Sequence, residues 1–270
     1  MARARTTQAG PRSDARRKLF VAHDRLCVAY HAPIPFFANK DPLSELVSSL
    51  LSHRTRNADS ARAYRSLRQR FATWEEVRDG DVSEIEAVIS AATWPEQKAP
   101  RIQHALRSIS ERAGSLSLDF LASLPASQAR DWLEQIPGVG PKTSAAVLLF
   151  SELRRRALPV DSHHLRVVVR LGVLPANVSL DAAHRQLEAL LPTDWDVQTV
   201  YDHHEVLMLH GQRVCHYQAP RCLDCVVLDL CNEGQARVGN GRVKVKAPRE
   251  STTQLRLDEI DEAPASSSSS

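Results

Sequence analysis

Leu43, Leu46, Val47, Leu50 and Leu51 recur at i, i+3, i+4, i+7 and i+8, the spacing that gathers apolar side chains on one helix face. Asp41 and Pro42 stand just before them, an N-cap and an N1 proline. The same period places Ala129, Trp132, Leu133 and Ile136 on one face, and Leu165, Val168, Val169 and Leu171 on another. Further helices are predicted over 15–30, through the arginine-rich stretch that holds Arg62 to Arg70, and over 82–92, 100–113, 118–124, 180–191 and 197–210. Pro33 and Pro35, the Thr93-Trp94-Pro95 step and the stretch 124–127 punctuate them. Alternation of the strand type is confined to 243–246, too short to decide anything. The pattern predicts an all-α chain without internal repeats. Residues 1–14 and 235–270 lack apolar periodicity and are predicted to be a disordered basic arm and a flexible tail.

Composition adds bounds. The chain has 270 residues, 43% hydrophobic and 25% charged, room for one large or two modest cores. The apolar run at 145–150 is too short for a bilayer, and the Arg-rich start has no apolar h-region. No membrane partner is expected, and the expected location is the cytoplasm, associated with the nucleoid. Net charge is +3, but Glu250, Asp258, Glu259, Asp261 and Glu262 fall in the tail, so the body is more basic than the total. That balance permits a polyanionic partner. The arginines at 62, 65, 68 and 70 fit either a solvated face or phosphate contacts.

Candidate chemistry begins at Gly138-Val139-Gly140, which ends one helix, while Pro141 suits the first position of the next. A tight glycine hairpin collects backbone N–H groups at a helix N-terminus, a place for phosphate or simply a sharp turn. Lys142 sits on the first turn, where the positive dipole end disfavours its charge. It is either a phosphate contact or an amine that can be made nucleophilic. Downstream, Asp161 and Ser162 are both suitable caps for the helix that follows.

Four of the five cysteines, Cys215, Cys222, Cys225 and Cys231, are spaced C-x6-C-x2-C-x5-C; Cys27 stands alone as a small apolar side chain. Structural zinc usually takes two separated C-x2-C knuckles, and only one is present. Unequal spacing on a wrapped loop suits the larger cage of a [4Fe–4S] cluster, with a zinc clip as the alternative.

Three elements in this order, Ile136-Pro137-Gly138-Val139-Gly140-Pro141-Lys142-Thr143, then Val160-Asp161-Ser162-His163, then the four-cysteine loop, resemble the endonuclease III family of helix–hairpin–helix DNA glycosylases. Leu209-His210-Gly211 is similar as well, and the likeness covers about 41–232. The resemblance implies two helical lobes with a DNA-binding cleft between them. One is a six-helix barrel with the hairpin, over 41–154. The other is the iron–sulfur lobe, over 15–40 and 155–234. It also implies a monomer that acts on double-stranded DNA with damaged pyrimidines or abasic sites. In that reading Lys142 attacks C1′ of a flipped nucleotide, leaving a Schiff base that allows β-elimination. Asp161 stabilises the cationic sugar and takes the lysine's proton. The hairpin residues Gly138, Val139 and Gly140 hold a phosphate, and Arg221 in the cysteine loop is a further phosphate contact.

The chain also departs from the family. His53-Arg54-Thr55 stands where a glutamine usually fills the gap left by the flipped base. Pro141 replaces a basic residue common after the second glycine, and Ala219 one in the cysteine loop. The adenine glycosylase relatives lack the lysine and use a glutamate on the preceding helix, whereas 46–55 holds no carboxylate here. A bifunctional glycosylase and AP lyase is therefore expected, with a non-catalytic iron–sulfur DNA-binding protein as the alternative.

Overall fold

Asp41 caps the helix Pro42–Ser52 by accepting the backbone N–H of Ser44 at 2.9 Å, with Pro42 in the first turn. The computed structural model describes residues 11–37 and 39–240. Within them the helices are α1 (Pro11–Ala29), α2 (Pro42–Ser52), α3 (Asn57–Arg70), α4 (Trp74–Asp79), α5 (Val82–Val88) and α6 (Pro95–Ala113). There follow α7 (Ala126–Glu134), α8 (Pro141–Phe150), α9 (Ser162–Leu171), α10 (Leu180–Glu188), α11 (Val197–Arg213) and α12 (Asn232–Gly239). No strand occurs among the described residues, so the fold is all-α.

Two apolar cores divide the chain. The first gathers residues of α2 to α8, with Leu46, Leu51, Leu67, Ile102, Leu106 and Leu133 fully buried. The second joins α1 to the later helices through Leu19, Leu26, Val160, Val168, Leu187 and Leu207. Helix α8 serves both: Ala145, Val147 and Leu148 face the first core, Ala146, Leu149 and Phe150 the second. A helix apolar all round has to be buried all round, and this one forms the wall between the cores. Its first turn, with Lys142, is thereby fixed where the two cores meet.

The structure corrects several expectations. Residues 11–14 are helical rather than disordered, because Asp14 in the first turn of α1 pairs with Arg17 at 2.9 Å and Lys18 at 3.7 Å. Residues 235–239 belong to α12 and pack beside the cysteine loop, with Arg237 held by Glu233. The remaining arm, 1–10, and tail, 241–270, lie outside the described residues, as does the 243–246 alternation. Helix α6 starts at Pro95, not at residue 100. Pro100 in its second turn gives up one backbone hydrogen bond, which burial of Lys98, Ala99 and Ile102 around it offsets. The stretch predicted as a helix over 118–124 is a single 3₁₀ turn, Asp119–Ser123, and α4 was not foreseen.

The second core encloses His23, His164, His184 and His203. Burial pushes His164 down to about 3 and His184 to about 4, and lowers His23 and His203 as well. Neither ring nitrogen of His164 or His203 has a protein hydrogen-bond partner. In the unfolded chain each imidazole takes a proton near pH 6.5, while the folded chain resists it. Stability is therefore complete above about 6.5 and is lost as pH falls toward 4, by up to about 1.4 kcal/mol per pH unit for each histidine. The urea midpoint should hold steady from about pH 8 to 7 and drop steeply below about 6. A profile flat down to about pH 4.5 would show that these imidazoles are protonated in the native state.

Candidate active site

Gly138 adopts φ +85, left-handed backbone that a residue with a Cβ resists, and this reverses the chain between α7 and α8. Gly140 then caps α8, with its carbonyl accepting from Thr143 and Ser144. The Ser144 hydroxyl donates to Glu134 at 2.7 Å, tying the two helices of the hairpin together. The N–H of Val139 is already spent on the Ile136 carbonyl at 3.0 Å, and its side chain is buried. The amides of Gly138, Gly140 and Lys142, by contrast, carry no backbone acceptor. An anion at the hairpin would thus be met by those amides rather than by Val139.

Lys142 is half-buried on the first turn of α8. Burial lowers its pKa, while the carboxylates of Asp161 and Glu45 work in the opposite direction. A larger share of free amine is the chemical result. Asp161 comes from the other core. The extended residues Ala157, Leu158 and Val160 are buried and deliver it to the start of α9, where its Oδ1 accepts the His164 N–H at 2.7 Å. Burial pushes its pKa up, but His204 and that backbone hydrogen bond outweigh it and hold the carboxyl below the usual range. Close packing keeps it there. At Gly211 of α11 a Cβ would lie 2.8 Å from the Cβ of His163, so only glycine lets α9 approach.

Lys142 and Asp161 line the same groove, of about 700 Å³. His53, Arg54 and Thr55 line it too, on the turn after α2, with Gly140 and Thr143 of the hairpin side. The His53 ring nitrogen Nε2 and the Thr143 hydroxyl are 3.0 Å apart. Burial, and then the cations Lys142, Lys98 and Arg101, push His53 down to about 4, so it is a neutral imidazole at physiological pH. Arg54 has φ 53, left-handed for a non-glycine residue, and its guanidinium lies 5.7 Å from the ring centroid of Trp94.

Trp94 itself has φ 55 and is 43% exposed, an aromatic face open to the groove. In the sequence it stands only as a step before a proline, with nothing to mark it as a groove residue. Unmarked too are Lys98 and Arg101, which line the groove from α6. In the sequence Lys98 sits in a polar run that looks solvated, yet it is buried. Glu45 lies one residue outside the carboxylate-free stretch and is 4% exposed. It is held by Lys40 at 3.3 Å and Ser49 at 3.1 Å, and it interacts with Lys142. With Lys98, Arg54, Arg101 and Lys142 against Asp161 and Asp181, the groove lining favours a polyanion.

The other candidates lie elsewhere. Arg62 pairs with Asp59, Arg70 with Glu84, and Arg68 packs 4.4 Å over Trp74, these arginines all lying on α3 and outside the groove lining. Arg221 is paired with Asp224 at 2.7 Å beside the cysteines, not in the groove. Cys215, Cys222, Cys225 and Cys231 line one cavity. Two hydrogen-bond donors reach the sulfurs, Arg170 Nη1 to Cys215 at 3.3 Å and the Gly234 N–H to Cys231 at 3.2 Å, and His210 Nε2 lies 3.4 Å from Cys225. Such donors stabilise thiolates, and the set fits a thiolate-ligated cluster. Without one, burial pushes Cys225 up to about 11, a protonated thiol at neutral pH.

No protein-family model matches the chain. Endonuclease III of Bacillus subtilis (strain 168) is 31% identical over 207 residues, covering 76% of this chain and 88% of that protein. Endonuclease III of Thermotoga maritima is 30% identical over 210 residues, covering 77% and 91%. A solved structure of a trapped endonuclease III–DNA covalent intermediate matches with a TM-score of 0.70 at 23% identity. That match covers 83% of this chain and 98% of the other, a likeness of fold.

Proposed function

The chain belongs to the endonuclease III family of DNA glycosylases, and from that premise we propose that it releases oxidised pyrimidines from duplex DNA and cleaves the resulting abasic strand. The observation that carries this reading is the pairing of Lys142, its pKa lowered by burial, with an ionised Asp161 across one cationic groove. Chemistry at C1′ requires the nucleotide to leave the stack, and the groove is large enough to receive it.

The free amine of Lys142 forms a bond to C1′ as the glycosidic bond breaks and the base departs with the electron pair. Asp161 accepts the proton shed by the lysine nitrogen and offsets the positive charge that develops on the sugar. The C1′–O4′ bond then breaks, the proton held by Asp161 passing to O4′, and the resulting iminium acidifies the 2′ proton, whose loss to solvent expels the 3′ phosphate oxygen. Gly138 and Gly140 offer amides to a backbone phosphate, Arg54 and Trp94 face the disturbed stack, and neutral His53 offers hydrogen bonds at the pocket. All of these groups come from one chain, so a monomer suffices.

The four cysteines would hold a [4Fe–4S] cluster, which when bound acts as a rigid clip for the second lobe. Cys225→Ser is expected to cost the protein its brown colour and its bound iron and sulfide, and to lower its melting temperature. A colourless wild-type protein with stoichiometric zinc would overturn that assignment.

The activity itself is tested with single-lesion duplexes, assayed with and without alkali, and by borohydride reduction on abasic DNA. Strand cleavage without alkali and a covalent complex are expected. Absence of both from the wild-type protein would leave a DNA-binding protein without lyase chemistry.

A further inference from the structure

Lys98 is 4% exposed on α6, and no step of the proposed chemistry uses its charge. Its ammonium donates to the Leu51 carbonyl at 2.5 Å, to the His53 carbonyl at 2.8 Å and to the Thr55 hydroxyl at 2.5 Å. The carbonyls are among those left unpaired at the C-terminal end of α2, so the cation closes the helix end from outside. Thr55 Oγ1 also accepts the backbone N–H of Thr93 at 3.1 Å. One ammonium and one hydroxyl therefore connect two turns, the one carrying His53 and Arg54 and the one carrying Trp94. Arg54 and Trp94 are both non-glycine residues at positive φ, and both line the groove. Such conformations persist only where the surroundings over-determine them. The hub of Lys98 and Thr55 is the contact that holds both turns in place.

We propose that Lys98 is a positioning residue for the 52–55 turn: it sets how far His53 and Arg54 reach into the groove, and with that how the enzyme discriminates the base opposite the lesion. The inference rests on the glycosylase reading above. Extrusion of an intact nucleotide needs the turn in register against the duplex, whereas an abasic site has no base to unstack and is extruded at less cost. A displaced turn should therefore impair the two substrates unequally.

The experiment compares wild type, Lys98→Met and Thr55→Val in single-turnover base release with each of the four bases opposite the lesion. Borohydride trapping on abasic duplexes and thermal unfolding are measured alongside. Lys98→Met is expected to lower base release by about 100-fold, as a misplacement of about 1 Å can. The ratio between the best and worst opposite base should collapse toward unity, and abasic trapping should fall far less than base release does. Thr55→Val, which removes one bond of the hub, should shift the same ratio in the same direction. Equal loss of release and trapping with an unchanged opposite-base ratio overturns the proposal and reduces Lys98 to a structural cap. If Lys98→Met does not fold, a folded Thr55→Val with the wild-type ratio overturns it equally. Failure of wild-type trapping would instead strike the glycosylase reading.

Discussion

Lys142→Gln is expected to abolish the borohydride-trapped complex and to slow base release by at least about 1,000-fold, or about 4 kcal/mol of transition-state stabilisation. Glutamine is one atom shorter than lysine and keeps its helix preference at the first turn of α8, but its amide nitrogen has no free lone pair able to form the iminium. Folding should survive, because the buried neighbours Thr143 to Phe150 fix α8 and none relies on the ammonium. Removal of a partly desolvated cation should leave the melting temperature level or slightly higher. Duplex binding should persist, since Arg54, Arg101 and the amides of Gly138 and Gly140 remain. In the wild type, trapping should accelerate with rising pH until the amine is fully deprotonated, and burial places that point below the ordinary lysine value. A Lys142→Gln protein that still forms a trapped complex would move the nucleophile elsewhere in the groove.

Asp161→Asn is expected to lower base release by about 100- to 1,000-fold while the protein stays folded. The two roles of this side chain can be separated because they need different properties. As a cap it needs only an oxygen for the His164 N–H, and asparagine caps as well as aspartate. As a proton acceptor and counter-charge it must be ionised, and the environment keeps it so. Asp161→Ala, which loses both, should cost about 1 kcal/mol of stability in addition, visible in urea titration. Full activity in Asp161→Asn would confine the residue to capping.

The sequence alone determined what depends on neighbours along the chain. The glycine hairpin, the N1 proline after it, the lysine on the first turn and the aspartate before α9 are local events within a few residues, governed by backbone dihedrals and capping. The cysteine spacing is equally local, and the helical faces follow from a period of 3.6 residues. Tertiary structure decided the rest. Lys98 and Glu45 are charged residues whose burial comes from packing against distant helices, so nothing adjacent marks them. Trp94 became a groove residue because α6 begins five residues earlier than its internal proline suggests, a start sustained by burial. Val139 spends its amide on a turn hydrogen bond, and Arg221 is paired with Asp224 beside the cysteines rather than in the groove. Above all, only the fold brings Lys142 and Asp161 to one groove. They belong to different cores, and they meet because α8, apolar on every face, can be buried nowhere but between them.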